Sequence, residues 1–329
     1  MGFSAKLCAR GVIALALGAA LFASGALDAQ ESAPGEDSSG SYLFLHTDFI
    51  PLAQDGETFI IGEHAQAYTA LRAPAPFFMN RYETSYRLWW DVRVRAEALG
   101  YVFQNPGQEG SDGRRGRDPT KNEFMPVTEI SWYDAAVWCN ALSELTGRTP
   151  CYVYGGAPLR DSTEALQGDM ARCLWDADGY RLPTETEWEF AARRTPGGFQ
   201  RGDRASGCVD SGTEPWDVAW YNTSGAHIIG TAGAVFETPE VIPGTGNPNA
   251  MGLFDMSGNV LEYCWDWFAD YTDEEPGKPS AGPPTGEARV ARGGGWSEYT
   301  PFVLAGDRYS YDPNESYNYL GFRIVTSKP

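Results

Sequence analysis

The residues able to do chemistry are few. Five cysteines follow residue 29, namely Cys139, Cys151, Cys173, Cys208 and Cys264, and the chain has three histidines, His46, His64 and His227. No pair of cysteines makes a CxxC and the histidines are far apart, so a zinc site is not expected. An odd number of cysteines in an exported chain implies at least one free thiol or an intermolecular bond. Cys151 and Cys173 bracket a candidate hairpin and are the best disulfide candidates; a closed loop of that size could contribute on the order of 3 kcal/mol. Glu185, Glu187 and Glu189 could suggest acid–base work. Glutamates in a first helical turn are ordinarily cap and dipole partners, and that reading is preferred.

The remaining chemistry lies at the end of the chain. Arg292 to Arg323 opens on three glycines and Trp296 and closes on Leu320-Gly321-Phe322-Arg323. Between these ends Tyr309, Tyr311, Tyr317 and Tyr319 alternate with serine, asparagine and acid. Tyrosine offers large amphipathic contact area at low entropic cost, which suits a binding surface. The bland alternative is a wet loop that happens to be rich in tyrosine.

The elements that must position these residues are signalled unevenly. The stretches 59–62 and 77–82 read as strands, the second feeding a helix capped by Thr84 with Trp89, Val92, Ala96 and Leu99 on one face and Gly100 as its stop. Ser131 caps a second helix whose Trp132, Ala135, Cys139 and Leu142 share a stripe, ended by Gly147. Cys139 on that stripe reads as a core thiol. Thr184 with Glu187 makes a capping box for a third, short helix running to about Arg193. Beyond Pro196 helical periodicity vanishes, leaving strand-like runs at 217–221, 260–267 and 288–292. The prediction is an α+β domain with few helices, short antiparallel strands and many loops.

Composition bounds the rest. The 329 residues are 42% hydrophobic and 21% charged, with 38 glycines and 22 prolines, as in a loop-rich globular domain. A formal charge of −19 disfavours a nucleic-acid partner. Lys6 and Arg10, an apolar run from Gly11 to Phe22 and small residues up to Ala29 read as a cleaved signal peptide; the run is short for a membrane anchor. Cys8 precedes that run, so no lipid anchor is expected. The expected organisation is a signal peptide at 1–29, a polar linker at 30–41 and one domain at 42–329, exported and without a membrane span once the signal is removed.

Four segments then carry a family resemblance: PVTEISWYDAAVWCNAL at 126–142, GYRLPTETEWEFAAR at 179–193, GLFDMSGNVLEYCWDW at 252–267, and the RGGGW…LGFR frame at 292–323. In order and spacing they resemble the formylglycine-generating enzyme, or sulfatase-modifying-factor, family, which implies a C-type-lectin-like fold. The oxidising members hold copper with two cysteines close after the GG(S/G) segment, a thiolate pair suited to Cu(I). The stretch from Trp296 to Arg308 has no cysteine, so no copper and no thiol oxidation are expected, and no catalytic residue is assigned. Iron-dependent relatives draw ligands from an extra helical domain not recognisable here. Exported maturation proteins of the family share the signal peptide and the fold.

A further branch fits the last stretch best. The frame resembles that of variable proteins of diversity-generating retroelements, with twelve residues from Trp296 to Arg308, five to Pro313 and ten to Arg323. The positions that vary in such proteins hold Ser297, Tyr299, Phe302, Asp307, Tyr309, Ser310, Tyr311, Asp312, Tyr317 and Tyr319. All are reachable by adenine-directed change of AAC codons, whereas Glu298 and Glu315 are not. The resemblance also implies a structural calcium ion held by Asp255, Gly258, Val260 and Glu262, an oxygen set suited to a hard cation; Asp255 and Asn259 could equally serve turn backbone. Three functions are therefore expected in turn: an exported protein binding an unknown protein or surface ligand, a protein-modifying oxidase or maturation factor of the family, and a scaffold whose last loop only packs on a partner.

Overall fold

The computed structural model describes residues 48–54, 56–62, 70–72, 74–210, 212–234, 241–271, 281–299 and 302–328. The expected signal peptide, the linker, the domain's first residues and two of the histidines (His46, His64) lie outside them. The described residues belong to one compact unit, residues 39–329.

Four helices occur among the described residues: α1 (Tyr86–Glu97), α2 (Trp132–Leu145), α3 (Ala165–Asp169) and α4 (Glu185–Arg193). The strands that matter here are β1 (Phe49–Leu52), β2 (Phe77–Asn80), β3 (Tyr152–Tyr154), β4 (Arg172–Cys173), β5 (Tyr180–Arg181), β6 (Leu261–Trp267), β7 (Arg289–Arg292), β8 (Arg308–Tyr311), β9 (Leu320–Gly321) and β10 (Val325–Thr326). One sheet has the order β1-β2-β10-β5 and is antiparallel throughout. The other has the order β8-β7-β6-β9, with β9 parallel to β6. Chain end therefore pairs with chain beginning in the first sheet, and residues 289–321 build most of the second. The α+β class is as the sequence indicated.

α2 carries its expected N-cap, Ser131, and Asp134 completes a capping box that the sequence reading did not include. Its stripe is wider than an amphipathic helix requires, since every residue from Trp132 to Ser143 is buried. That makes it a central helix covered on all sides. α1 departs from expectation at both ends. Its cap is Ser85, whose hydroxyl accepts from Leu88 N–H at 3.3 Å, while the Thr84 hydroxyl has no partner. The helix stops at Glu97, so Leu99 no longer follows the buried face and is 50% exposed. Around α1 and α2, Trp89, Trp138 and Phe322 interlock with ring centroids 5.3–6.1 Å apart. α4 belongs to a second cluster, in which Trp188 and Phe190 pack with Phe77, Met79, Cys264, Val290 and Val325.

Two further expectations are corrected. Residues 217–221 are not a strand: Pro215–Asp217 form a single 3-10 turn, as a proline favours at a helix start, and Trp220 makes only an isolated bridge to Gly258. Cys151 and Cys173 are not bonded, and all five described cysteines are free. β3 and β4 do pair, but their register sets Tyr152 rather than Cys151 opposite Cys173.

Candidate functional site, a buried frame and its exposed insert

The frame of the last segment is held by arginines whose carboxylate partners come from elsewhere. Arg292, fully buried at the end of β7, pairs with Glu189 of α4 and donates to the carbonyls of Ala305 and Gly306 at 3.2 Å each. Arg308, directly across the ladder from Arg292, makes two bonds to Glu185, and its other nitrogen reaches Ala269 O at 2.9 Å. Arg323 grips both oxygens of Glu262 on β6, and Trp188 Nε1 donates to the same carboxylate at 2.7 Å. Only Glu187 of the α4 acids serves the cap, and it also pairs with Arg181. Glu185 and Glu189 are instead clamps on the frame, which the sequence did not reveal.

Backbone closes what the arginines begin. Gly293 and Gly294 have φ of +97° and +73°, and a Cβ on Gly294 would sit 2.2 Å from Phe302 O. Trp296 N donates to Asn259 O at 2.7 Å and its indole to Asn318 O at 3.2 Å. Pro313, Leu320, Gly321 and Phe322 are buried.

The ten candidate contact residues are a different population. None is buried: Ser297, Tyr299, Phe302, Ser310 and Asp312 are exposed, and Asp307, Tyr309, Tyr311, Tyr317 and Tyr319 are partly so. Tyr299 is 64% and Phe302 48% exposed, large values for such side chains. Tyr317 and Tyr319 stack at 5.1 Å and 8°, and Tyr311 leans on both. Tyr309 stands slightly apart and donates to Phe302 O at 2.6 Å. Burial pushes the Tyr309 and Tyr311 hydroxyls above the usual phenol range, so both remain protonated donors.

The residues expected to hold calcium share a buried acidic node with Glu83, Asn259 and Arg323; of these the sequence reading gave Glu83 no role, Asn259 only a turn role and Arg323 only a place in the frame. Asp255, at φ +54°, accepts from Gly230 N–H through Oδ2, while its buried Oδ1 has no partner. Burial, opposed by that bond and by Arg323, lifts its pKa to about 6. Glu83 accepts from Asn259 Nδ2 and Val260 N–H; burial first, then the Asp255 and Glu262 charges, hold its pKa well above the ordinary range. Asp255 thus has a free oxygen for a cation. Glu262 has both oxygens engaged by Arg323 and Trp188.

Cys264, the last cysteine, is fully buried in β6, and burial pushes its thiol well up. His227 stacks on Trp220 at 3.8 Å, and burial lowers its pKa. Among the described residues no group of three or more His, Cys, Asp or Glu is arranged to hold a metal, and no helix is long and apolar enough to cross a membrane.

Comparison with known proteins agrees with this architecture. The chaperone protein LppX of Paenibacillus barcinonensis is 28% identical over 265 residues, covering 77% of this chain and 80% of that protein. The formylglycine-generating enzyme of Streptomyces coelicolor is 36% identical over 189 residues, 56% of this chain and 55% of the enzyme, so the match spans about half of each. Among solved structures, Treponema denticola variable protein 1 is 27% identical with a TM-score of 0.61, covering 85% of this chain and 94% of that one. The profile of the sulfatase-modifying factor enzyme 1-like domain matches residues 49–328, and the chain belongs to that family.

Proposed function

We propose that this is an exported ligand-binding protein in which residues 297–319 present a tyrosine-rich contact surface on a formylglycine-generating-enzyme-like scaffold. The observation that carries the reading is the partition within one segment: every arginine, glycine and apolar residue of the frame is tied inward, and each of the ten candidate contact residues keeps solvent access. Aromatic side chains with one face on the core and the other open are the usual anchors of protein interfaces. Similarity to a variable protein supports the idea that these ten positions tolerate exchange. Replacing Tyr309, Tyr311, Tyr317 and Tyr319 by alanine is expected to abolish ligand capture while circular dichroism still reports a folded chain. Loss of folding would instead make them packing residues. For diversification itself, a near-copy of the final codons with adenines at the ten positions, beside a reverse transcriptase gene, is the expected genomic context; absence of both would end that part of the proposal.

The enzymatic reading has one observation in its favour, the 36% identity to the Streptomyces enzyme. Against it stands the cysteine-free interval from Trp296 to Arg308. Turnover of a cysteine-containing sulfatase peptide by the copper-loaded protein would establish it.

Calcium is proposed as a structural ligand held by Asp255 with the Gly258 and Val260 carbonyls. The orphaned Asp255 Oδ1 supports the site, and Glu262 is its weak member because Arg323 already neutralises it. A melting temperature that falls when a chelator is added is the expected result; an unchanged one removes the ion.

A further inference from the structure

We infer that the partner of this surface is a basic polypeptide segment, one that presents arginine or lysine side chains to a corner of tyrosine rings; this rests on the binding-surface reading above. Tyr317 and Tyr319 form one wall of the corner, their rings parallel within 8°. Tyr311 forms the other, at 58° and 55° to them with centroids 5.6 and 6.3 Å away. The open faces of such rings carry the negative part of the aromatic quadrupole and attract cations.

What surrounds the corner has the same sign. Asp312 and Glu315 are exposed beside it, Glu129 meets Ser316 Oγ at 3.3 Å, and Glu298 lies across the frame. Glu298, Glu315 and Glu129 all act on the Tyr319 hydroxyl as negative charges, and Glu315 and Asp312 act so on Tyr317. Arg115 approaches from the neighbouring loop, but it is already bound to Glu129. A carboxylate or phosphate partner would meet repulsion here, as it would from the whole chain at −19.

Extent argues for a polypeptide over a small amine. Tyr309, two residues before Tyr311 on β8, donates to the Phe302 carbonyl, and Phe302 and Tyr299 expose further aromatic surface on the same segment. One ammonium group would cover one ring face. Several side chains on an extended segment are needed to cover the remainder.

The test is selection of a random displayed peptide library on the full chain and on the Tyr311→Ala, Tyr317→Ala, Tyr319→Ala triple variant. Peptides enriched in arginine and lysine, and lost on the triple variant, are expected. A labelled peptide from that pool should then bind about threefold more weakly for each of Asp312→Asn and Glu315→Gln, as exposed charge pairs predict. It should weaken again as NaCl shortens the screening length to roughly 8 Å and below. Tyrosine-dependent peptides without an excess of basic residues would overturn the cation inference and leave the binding surface standing. Enrichment identical on the triple variant would overturn both. Should the triple variant unfold, the Asp312 and Glu315 variants decide alone, and unchanged affinity in both overturns the inference.

Discussion

Arg323 and Tyr299 belong to one short segment, yet Arg323 is wholly buried and Tyr299 is 64% exposed. The difference lies in their partners. Arg323 is tied to Glu262 of β6, and its neighbours in the frame are tied to Glu185 and Glu189 of α4. Tyr299 and Phe302 have no such ties. A segment can be rigid in its backbone and free in its side chains when the charges that fix it are supplied from other elements.

Breaking the frame should give the largest effect. Arg323→Met leaves Glu262 as an uncompensated buried charge, and denaturant unfolding should report a loss of about 3–5 kcal/mol. A loss below about 1 kcal/mol would show that the pair does not hold the frame.

The acidic node beneath should give an intermediate effect that depends on pH. The folded pKa of Asp255, about 6, lies above its ordinary value of about 3.9, so the native state binds that proton more tightly than the unfolded chain. The contribution is favourable at low pH and is lost as pH rises from about 4 through about 6, and Glu83 acts in the same direction. In chelator, with no cation at the site, Asp255→Asn should flatten the fall in stability over that window. An unaltered slope would mean that Asp255 does not titrate there, whereas calcium added to the wild-type chain should flatten the fall by holding the carboxylate in its charged form.

The insert should give the smallest effect. Tyr299→Ala and Phe302→Ala together should change unfolding free energy by no more than about 0.5 kcal/mol. A larger loss would join these residues to the frame and sharpen where the boundary falls.

The parts of the fold legible in sequence were those fixed by local rules. The Ser131 cap and the Thr184 capping box act within three residues, and the glycine and tryptophan of the frame announce tight backbone. Misplaced features depend on distant partners. Glu185 and Glu189 read as helix-end acids because Arg308 and Arg292 lie 123 and 103 residues away. The strands at Cys151 and Cys173 do pair, but a one-residue register difference sets Tyr152 opposite Cys173, and the expected disulfide is absent. Glu83 entered the acidic node through a contact 176 residues long with Asn259, for which no local pattern exists.

Arg292 and Arg308 face each other as a register pair on adjacent strands. The chain between them is therefore an excursion whose two ends are already fastened, each by its own carboxylate. Closing such a loop depends only weakly on its length, about 0.6 kcal/mol for each doubling. A longer turn between Tyr299 and Phe302 would accordingly cost little in closure, whereas Glu298, whose carbonyl Asn222 N–H holds at 2.7 Å, must stay. The reach of the surface, and not only its side chains, is open to variation without a new fold.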